Sequence, residues 1–213
     1  MNGHVRKAVI VLAAASMVGL VNCSGPSAAP PTTAPSPTTR TIQMSADYPT
    51  YDSLSDAEDA AKVIVKGKFL DSRVELLQPE TSQNDGDELA NPQSGVPSNE
   101  INPSEMGVVE TISRVEVTES LKGGIMVGDI IEVAQPGGEH NQIEYSEEST
   151  VLLPDVSSSE TLLFLNLMPD NRYDLINPEQ GMYLVDGESL AQAKGKNSLG
   201  LSTMEQAREA TSQ

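Results

Sequence analysis

The chain has 213 residues and a net charge of -18, because 31 Asp and Glu outnumber 13 Lys and Arg. This excess of acid disfavours binding to nucleic acids and to anionic lipid headgroups, since both require cationic side chains. The single cysteine, Cys23, excludes an intramolecular disulfide and a cysteine-based zinc site. Aromatic residues make up 3% of the chain and Trp is absent, so an aliphatic core is expected.

The N-terminal segment has the composition of an export signal. Arg6 and Lys7 precede an uncharged apolar stretch from Ala8 to Val21. As a helix these 14 residues would span roughly 21 Å, which is less than the ~30 Å hydrocarbon core of a bilayer. The sequence therefore predicts a signal peptide over residues 1–22 rather than a transmembrane anchor.

Directly after this stretch, Leu20-Val21-Asn22-Cys23 resembles the lipobox of bacterial lipoproteins. In that family a Leu lies three residues before the modified Cys. Leu20, Val21 and Cys23 match the pattern, whereas Asn22 departs from the usual Gly, Ala or Ser. The resemblance implies transfer of diacylglycerol to the Cys23 thiol, cleavage before Cys23 and acylation of the new amino group. It predicts a protein held at the outer face of the cell membrane by lipid; the alternative is a secreted protein.

A tether is predicted between Cys23 and residue 50, ahead of a single β-rich domain over residues 51–213. Residues 24–41 are mostly Pro, Ser, Thr and Ala. Such a composition buries too little apolar surface to offset the entropy of ordering, so the segment is expected to be disordered. It resembles the tethers of lipoproteins from high-GC Gram-positive (actinobacterial) bacteria. An inert spacer is the first interpretation and a glycosylated stalk is the alternative.

The domain is predicted to be mainly β, with a short helix at each end. Ser55 and Glu58 match a capping box for a helix over residues 54–61, and Ser202 and Glu205 match one near the C-terminus. Gly67, in the middle of the first strand, indicates a bulge or bend. Residues 139–159 are predicted to be irregular. Apolar alternation and turn residues predict five or six strands, over about residues 62–70, 108–120, 130–134, 162–165, 173–176 and 181–185.

A long acidic loop is predicted at residues 78–105, which contain four prolines and few apolar residues. Loops longer than about 15 residues are uncommon and are either functional or disordered. Disorder is the favoured interpretation here. If the loop is functional, it is the expected contact with a ligand.

The order of several short motifs carries a second resemblance. The chain resembles uncharacterised secreted domains of Gram-positive bacteria, and the layout is similar to the OB-like barrel of netrin and metalloproteinase-inhibitor modules. The resemblance implies a small, partly open OB-like barrel or sandwich. The inhibitor modules act through an N-terminal cysteine and disulfides, so their activity is not implied. The motifs are V-x-V-x-G-x-F (Val63–Phe69), V-E-V-T-E-S-L-K-G (Val115–Gly123), G-D-I-I-E-V-A-Q-P-G-G (Gly128–Gly138), L-L-F-L (Leu162–Leu165) and N-P-E-Q-G-M-Y (Asn177–Tyr183).

No catalytic, cofactor or metal site is predicted. His140 is the one histidine beyond the predicted signal peptide, and no G-x-S-x-G motif singles out a nucleophile for it. The acidic cluster Asp85-Gly86-Asp87-Glu88 lacks the spacing of a calcium-binding loop. We therefore expect a non-enzymatic binding module at the cell envelope, with a protein or ligand partner that the sequence does not identify. The alternatives are a carboxylate-dependent hydrolase of an envelope substrate and a calcium-dependent adhesion module.

Overall fold

The computed structural model describes residues 40–77 and 107–212, so the predicted signal peptide, Cys23 and the loop at 78–105 lie outside the described residues. No helix in the described ranges is long and apolar enough to cross a membrane. The helices are α1 (Leu54–Ala60) and α2 (Met204–Ala210). The strands are β1 (Arg40–Met44), β2 (Val63–Leu77), β3 (Val108–Lys122), β4 (Ile130–Pro136), β5 (Gly138–His140), β6 (Ile143–Glu147), β7 (Glu160–Leu167), β8 (Tyr173–Leu175), β9 (Met182–Asp186) and β10 (Ser189–Gln192).

Five of these strands close into a ring. β2 pairs with β3 and β3 with β4, both antiparallel. β4 then pairs in parallel with β8, β8 pairs antiparallel with β7, and β7 returns antiparallel to β2. The parallel contact joins only Val133 to Tyr173 and Ala134 to Asp174, so the ring is weakly closed there. A short five-stranded barrel with this layout is OB-like, and the predicted fold class is confirmed.

The remaining strands extend this barrel and add a second sheet. The first half of β7 also pairs with β9, which continues to β10, while β1, β6 and β5 form a separate three-stranded sheet. The described part therefore holds ten strands rather than the five or six predicted. The additional ones are short, with five residues or fewer, and offer too few positions for an alternating pattern to stand out.

Two hydrophobic clusters lie on opposite sides of β7. Leu163 and Leu165 point into the barrel, where they meet valines of β2, β3 and β4. Leu162 and Phe164 point outward and are covered by α1, α2 and β9. This explains why Leu162–Leu165 is an uninterrupted apolar run, and the prediction of a strand buried on both faces is confirmed.

The predicted bend at Gly67 is also confirmed. The pairing of β2 with β3 shifts register between Lys66 and Gly67. A Cβ atom at position 67 would lie 2.4 Å from Val115 Cγ1 and 3.0 Å from the backbone oxygen of Glu116. Glycine is therefore required because the two strands approach each other closely where β2 curves into the barrel.

Helix α1 lies where it was predicted, but its cap is a different residue. Ser53 has the extended backbone of an N-cap, and its hydroxyl accepts a hydrogen bond from the Asp56 amide. The predicted cap, Ser55, lies inside the helix. The capping-box prediction was wrong because a cap is defined by its backbone conformation, which the S-x-x-E pattern does not report.

The cap predicted for helix α2 was also wrong, by one residue. Thr203, not Ser202, is the N-cap, and its hydroxyl accepts a hydrogen bond from the Gln206 amide at 3.2 Å. The Gln206 side chain in turn accepts a hydrogen bond from the Thr203 amide at 3.1 Å and completes the box in place of Glu205. A glutamine closes a capping box as well as a glutamate does.

The prediction that residues 139–159 are irregular was wrong in its first part. β5 and β6 form a hairpin whose two-residue turn is Asn141-Gln142. Both turn residues have positive φ, 52° and 64°, as a type I′ turn requires. The hairpin was missed because glycine, the usual signal of such a turn, is absent from it. A 3-10 turn over Leu153–Val156 follows.

Strand β1 lies inside the segment predicted to be tether. Arg40–Met44 pairs in parallel with Ile143–Glu147 of β6, more than 90 residues further along the chain. The ordered part therefore begins before residue 51. β1 is mostly exposed.

The N-P-E-Q motif has a structural role. The Asn177 side chain donates to the Pro49 carbonyl at 2.8 Å and accepts from the amides of Glu179 and Gln180. The Gln180 side chain exchanges two hydrogen bonds, both 2.9 Å, with the backbone of Tyr51. These buried amides fasten the segment before α1 to the loop between β8 and β9.

Candidate binding face

The outer face of β2, β3 and β4 carries a network of ion pairs. Side chains alternate along each strand, so residues between the inward-pointing ones point away from the barrel. The strand registers place these outward residues in rows that cross the sheet. Two neighbouring rows are Asp71–Arg114–Glu132 and Arg73–Ile112–Ala134–Asp174. Ile112 and Ala134, in the middle of the second row, are buried.

Arg73 is the centre of this face. Its guanidinium donates to both carboxylate oxygens of Glu132, at 2.6 and 3.0 Å, and to Glu75 at 2.7 Å. These bonds lower the pKa of Glu132 and raise the pKa of Arg73. The two-fold contact fixes the geometry of both side chains, because a guanidinium and a carboxylate are both planar.

Arg172 ties the loop between β7 and β8, residues 168–172, to the same face. Its guanidinium donates to Asp170 at 2.6 Å and to Glu75 on β2 at 3.2 Å. The Arg172 side chain is only 14% exposed, so the pair is partly shielded from water. The loop is therefore held against the sheet by charge as well as by its backbone.

Two carboxyls near Arg172 have no such partner. Glu110 and Asp174 are half-buried, and in the described part of the chain Glu110 Oε2 and Asp174 Oδ1 are buried without a hydrogen-bond donor. Burial raises the pKa of both groups. Arg172 opposes this rise at Glu110, whereas the charges of Asp170, Glu75 and Asp174 add to it. Two carboxyl groups with raised pKa values thus lie beside this network of ion pairs.

Replacing Glu110 with Gln and Asp174 with Asn together is expected to stabilise the protein at pH 7 by on the order of 1 kcal/mol, since it removes charge from two poorly solvated groups. A carboxyl whose pKa is raised by folding binds protons more tightly in the folded state. Its favourable contribution is present below the unfolded pKa of about 4 and is lost as pH rises through the folded pKa. The advantage of the double variant should therefore shrink as pH falls from 7 toward 4.

Thermal unfolding of both chains across this pH range measures the difference. Glu116→Gln is the matched control, because Glu116 is an exposed carboxyl on the same strand as Glu110. A double variant that is less stable than the parent at pH 7, or a gain that Glu116→Gln reproduces, contradicts the prediction.

A shallow depression of about 380 Å³ opens at one end of this face, between the β3–β4 turn (residues 123–129) and the 168–172 loop. Its apolar lining is Ile125, Ile130, Ile131 and Tyr173, and its polar lining is Asp129, Glu132, Asp170, Asn171 and Arg172. Beside it, Met126 is 70% exposed, Val127 66% and Ile130 50%. This is a local apolar surface on a strongly acidic protein.

The residues singled out by sequence lie elsewhere. Cys23, Leu20, Val21 and Asn22 are outside the described residues, as is the acidic cluster at 85–88. His140 ends β5 and pairs with Ile143 across the hairpin, so it belongs to neither row of the binding face. Within residues 40–77 and 107–212, no group of three or more His, Cys, Asp or Glu side chains is arranged to hold a metal ion.

Sequence reasoning missed the face and the depression. The ion pairs join residues as far apart as Glu75 and Arg172, so no local pattern reports them. One signal was present for the apolar surface. Ile125-Met126-Val127 is an apolar run between the turn residues Gly124 and Gly128, and a turn has no need of three such side chains.

Comparison with known proteins found no matching family model, no similar curated protein and no similar solved structure. The chemistry of this face must therefore be judged on its own geometry.

Proposed function

We propose that this chain is a non-enzymatic binding module held at the outer face of the cell membrane by lipid on Cys23. The lipobox resemblance supports the anchor. The OB-like barrel supports a binding role, because such barrels bind ligands through the outer face of their second and third strands and the loops beside it. In this chain those strands are β3 and β4, and residues 168–172 form one of the loops.

The observation that carries the binding role is the rigid, charged face with an exposed apolar surface at its end. Arg73 and Arg172 fix the face and one bordering loop through short ion pairs. A fixed surface loses little conformational entropy when a partner docks. Apolar side chains exposed together commonly mark a contact with another molecule.

The hydrolase is the weaker candidate. Glu110 has the raised pKa that a general acid needs. A glycosidase also needs a second free carboxylate. Asp174 lies near Glu110, but burial raises its pKa and so disfavours the ionised form that a nucleophile or base needs. Glu132 is also unsuited, because both of its oxygens accept hydrogen bonds from Arg73. Turnover of envelope polysaccharides or esters by the purified chain, abolished by Glu110→Gln, would reverse this ranking.

Site-specific photo-crosslinking in producing cells tests the binding face. A photoreactive residue at position 116, exposed on the outer face of β3, should give one discrete cross-linked species that excess purified protein competes away. The control position is 205, exposed on α2 at the other side of β7. Equal cross-linking from both positions, or none from position 116, would count against the proposal.

A further inference from the structure

The apolar surface at the end of the binding face indicates the chemistry of the partner. We define the β3–β4 patch as Ile125, Met126, Val127 and Ile130, with an acidic rim of Asp129, Glu132 and Asp170. We infer that this patch docks a segment of a partner protein that presents an apolar side chain flanked by Lys or Arg. The inference deepens the proposed binding function and rests on it.

The exposure of the patch has no structural cause in the turn that carries it. Gly128, at φ 92°, allows the turn its backbone conformation, and Ile125 packs against the barrel core. Met126 and Val127 contribute little to the barrel core, since about two-thirds or more of each side chain is exposed. Polar residues would serve the turn equally well. Two large apolar side chains at its tip are therefore better explained by a contact with another molecule.

Hydrogen bonds within the turn and to β3 hold the patch in place. The Asp129 carboxylate accepts from the Met126 amide at 3.0 Å, and the Asp129 amide donates to the Met126 carbonyl at 3.1 Å. Val117 of β3 exchanges hydrogen bonds with the turn, at 2.8 Å from the Gly128 amide and 2.9 Å to the Asp129 carbonyl. The apolar side chains are thus presented from a fixed turn, and docking would not have to order it.

Charge selects the partner. Of the three rim carboxylates, Glu132 is paired with Arg73 and Asp170 with Arg172, so Asp129 is the one that has no arginine partner among the described residues. Asp129 and the net charge of -18 on the chain would attract Lys or Arg of a partner and would repel an anionic ligand. The same rim disfavours insertion of the turn into an anionic membrane surface. The depression, of about 380 Å³, is large enough for one apolar side chain of the partner to enter.

The test uses a defined probe, a ten-residue peptide of alternating Leu and Lys, and the isotopically labelled mature chain carrying Cys23→Ser. Backbone amide shifts should change at residues 123–132 and 168–173. The double variant Met126→Ser/Val127→Ser should weaken binding by about tenfold or more, which is the loss expected from burying fewer apolar groups. Leu70→Ser, which changes an exposed apolar residue of β2, is the matched control and should bind like the parent.

Several results would overturn the inference. One is equal affinity for a peptide in which Gly replaces each Leu, because it would show a general attraction of Lys side chains to a polyanion. Shifts elsewhere, or unchanged affinity of the double variant, would exclude the patch. Co-sedimentation with phosphatidylglycerol vesicles that depends on Met126 and Val127 would make the occupant a membrane. If position 116 still cross-links its partner in the double variant, this inference fails while the proposed function stands.

Discussion

Cys23→Ala is expected to abolish incorporation of lipid label and to release the processed chain into the culture medium. Two or more acyl chains anchor a protein stably, whereas a single one binds marginally. Beyond the predicted signal peptide the chain carries 11 bases and 31 acids, so anionic headgroups repel it. The lipid would therefore supply essentially all of the membrane affinity, and its loss should have an all-or-none effect.

Phase partition in detergent, with immunoblots of cells and medium, measures this change. Ser27→Ala, which alters the adjoining segment and leaves the lipobox intact, is the control and should stay in the detergent phase. A Cys23→Ala chain that lacks residues 1–22 and still partitions with membranes contradicts the anchor. An intact mass of the native protein with residue 23 unmodified, or with residues 1–22 retained, contradicts it as well.

Asn177→Ala is expected to lower the free energy of unfolding by about 3 kcal/mol, at roughly 1 kcal/mol for each of three hydrogen bonds. The Asn177 side chain is buried and bonds the Pro49 carbonyl and the amides of Glu179 and Gln180 at 2.8, 2.8 and 2.9 Å. Alanine leaves these backbone groups without their partner in a site that water reaches poorly. The segment before α1 would also lose part of its attachment to the barrel.

Denaturant titration of the parent and the variant measures the loss. Asn197→Ala is the matched control, because Asn197 is exposed and its side chain makes a single hydrogen bond, 2.7 Å to the Leu201 carbonyl. The control should lose less than about 1 kcal/mol. If Asn177→Ala costs no more than Asn197→Ala, the N-P-E-Q motif does not hold the segment in place.

The barrel strands could be predicted because their evidence is local. Val63 to Phe69 alternates in the two-residue period of a strand, and Leu162–Leu165 is apolar throughout because both of its faces are buried. Gly67 marked the bend for the same reason, since a glycine within a strand signals close backbone approach. In each case burial selected the residue types, so the pattern can be read without knowing the partner strands.

The short exposed strands could not be predicted because their stability comes from distant residues. β1 exists through its pairing with β6, and most of its side chains remain in water. Solvent exposure leaves residue type nearly free, and no pattern develops. The same limit applies to the caps, where neighbouring Ser and Thr residues matched the motif and backbone conformation selected one of them.

The predicted lipid site and the binding face are recorded in the chain in different ways. A lipobox is read by enzymes as a short linear motif, so Leu20 to Cys23 carries that prediction without any tertiary contact. The binding face requires Glu75, Glu110 and Arg172 to meet, and these residues are brought together only by strand register and barrel closure. Charged and apolar surface residues are unconstrained by the core, so their positions in the sequence do not reveal which of them become neighbours.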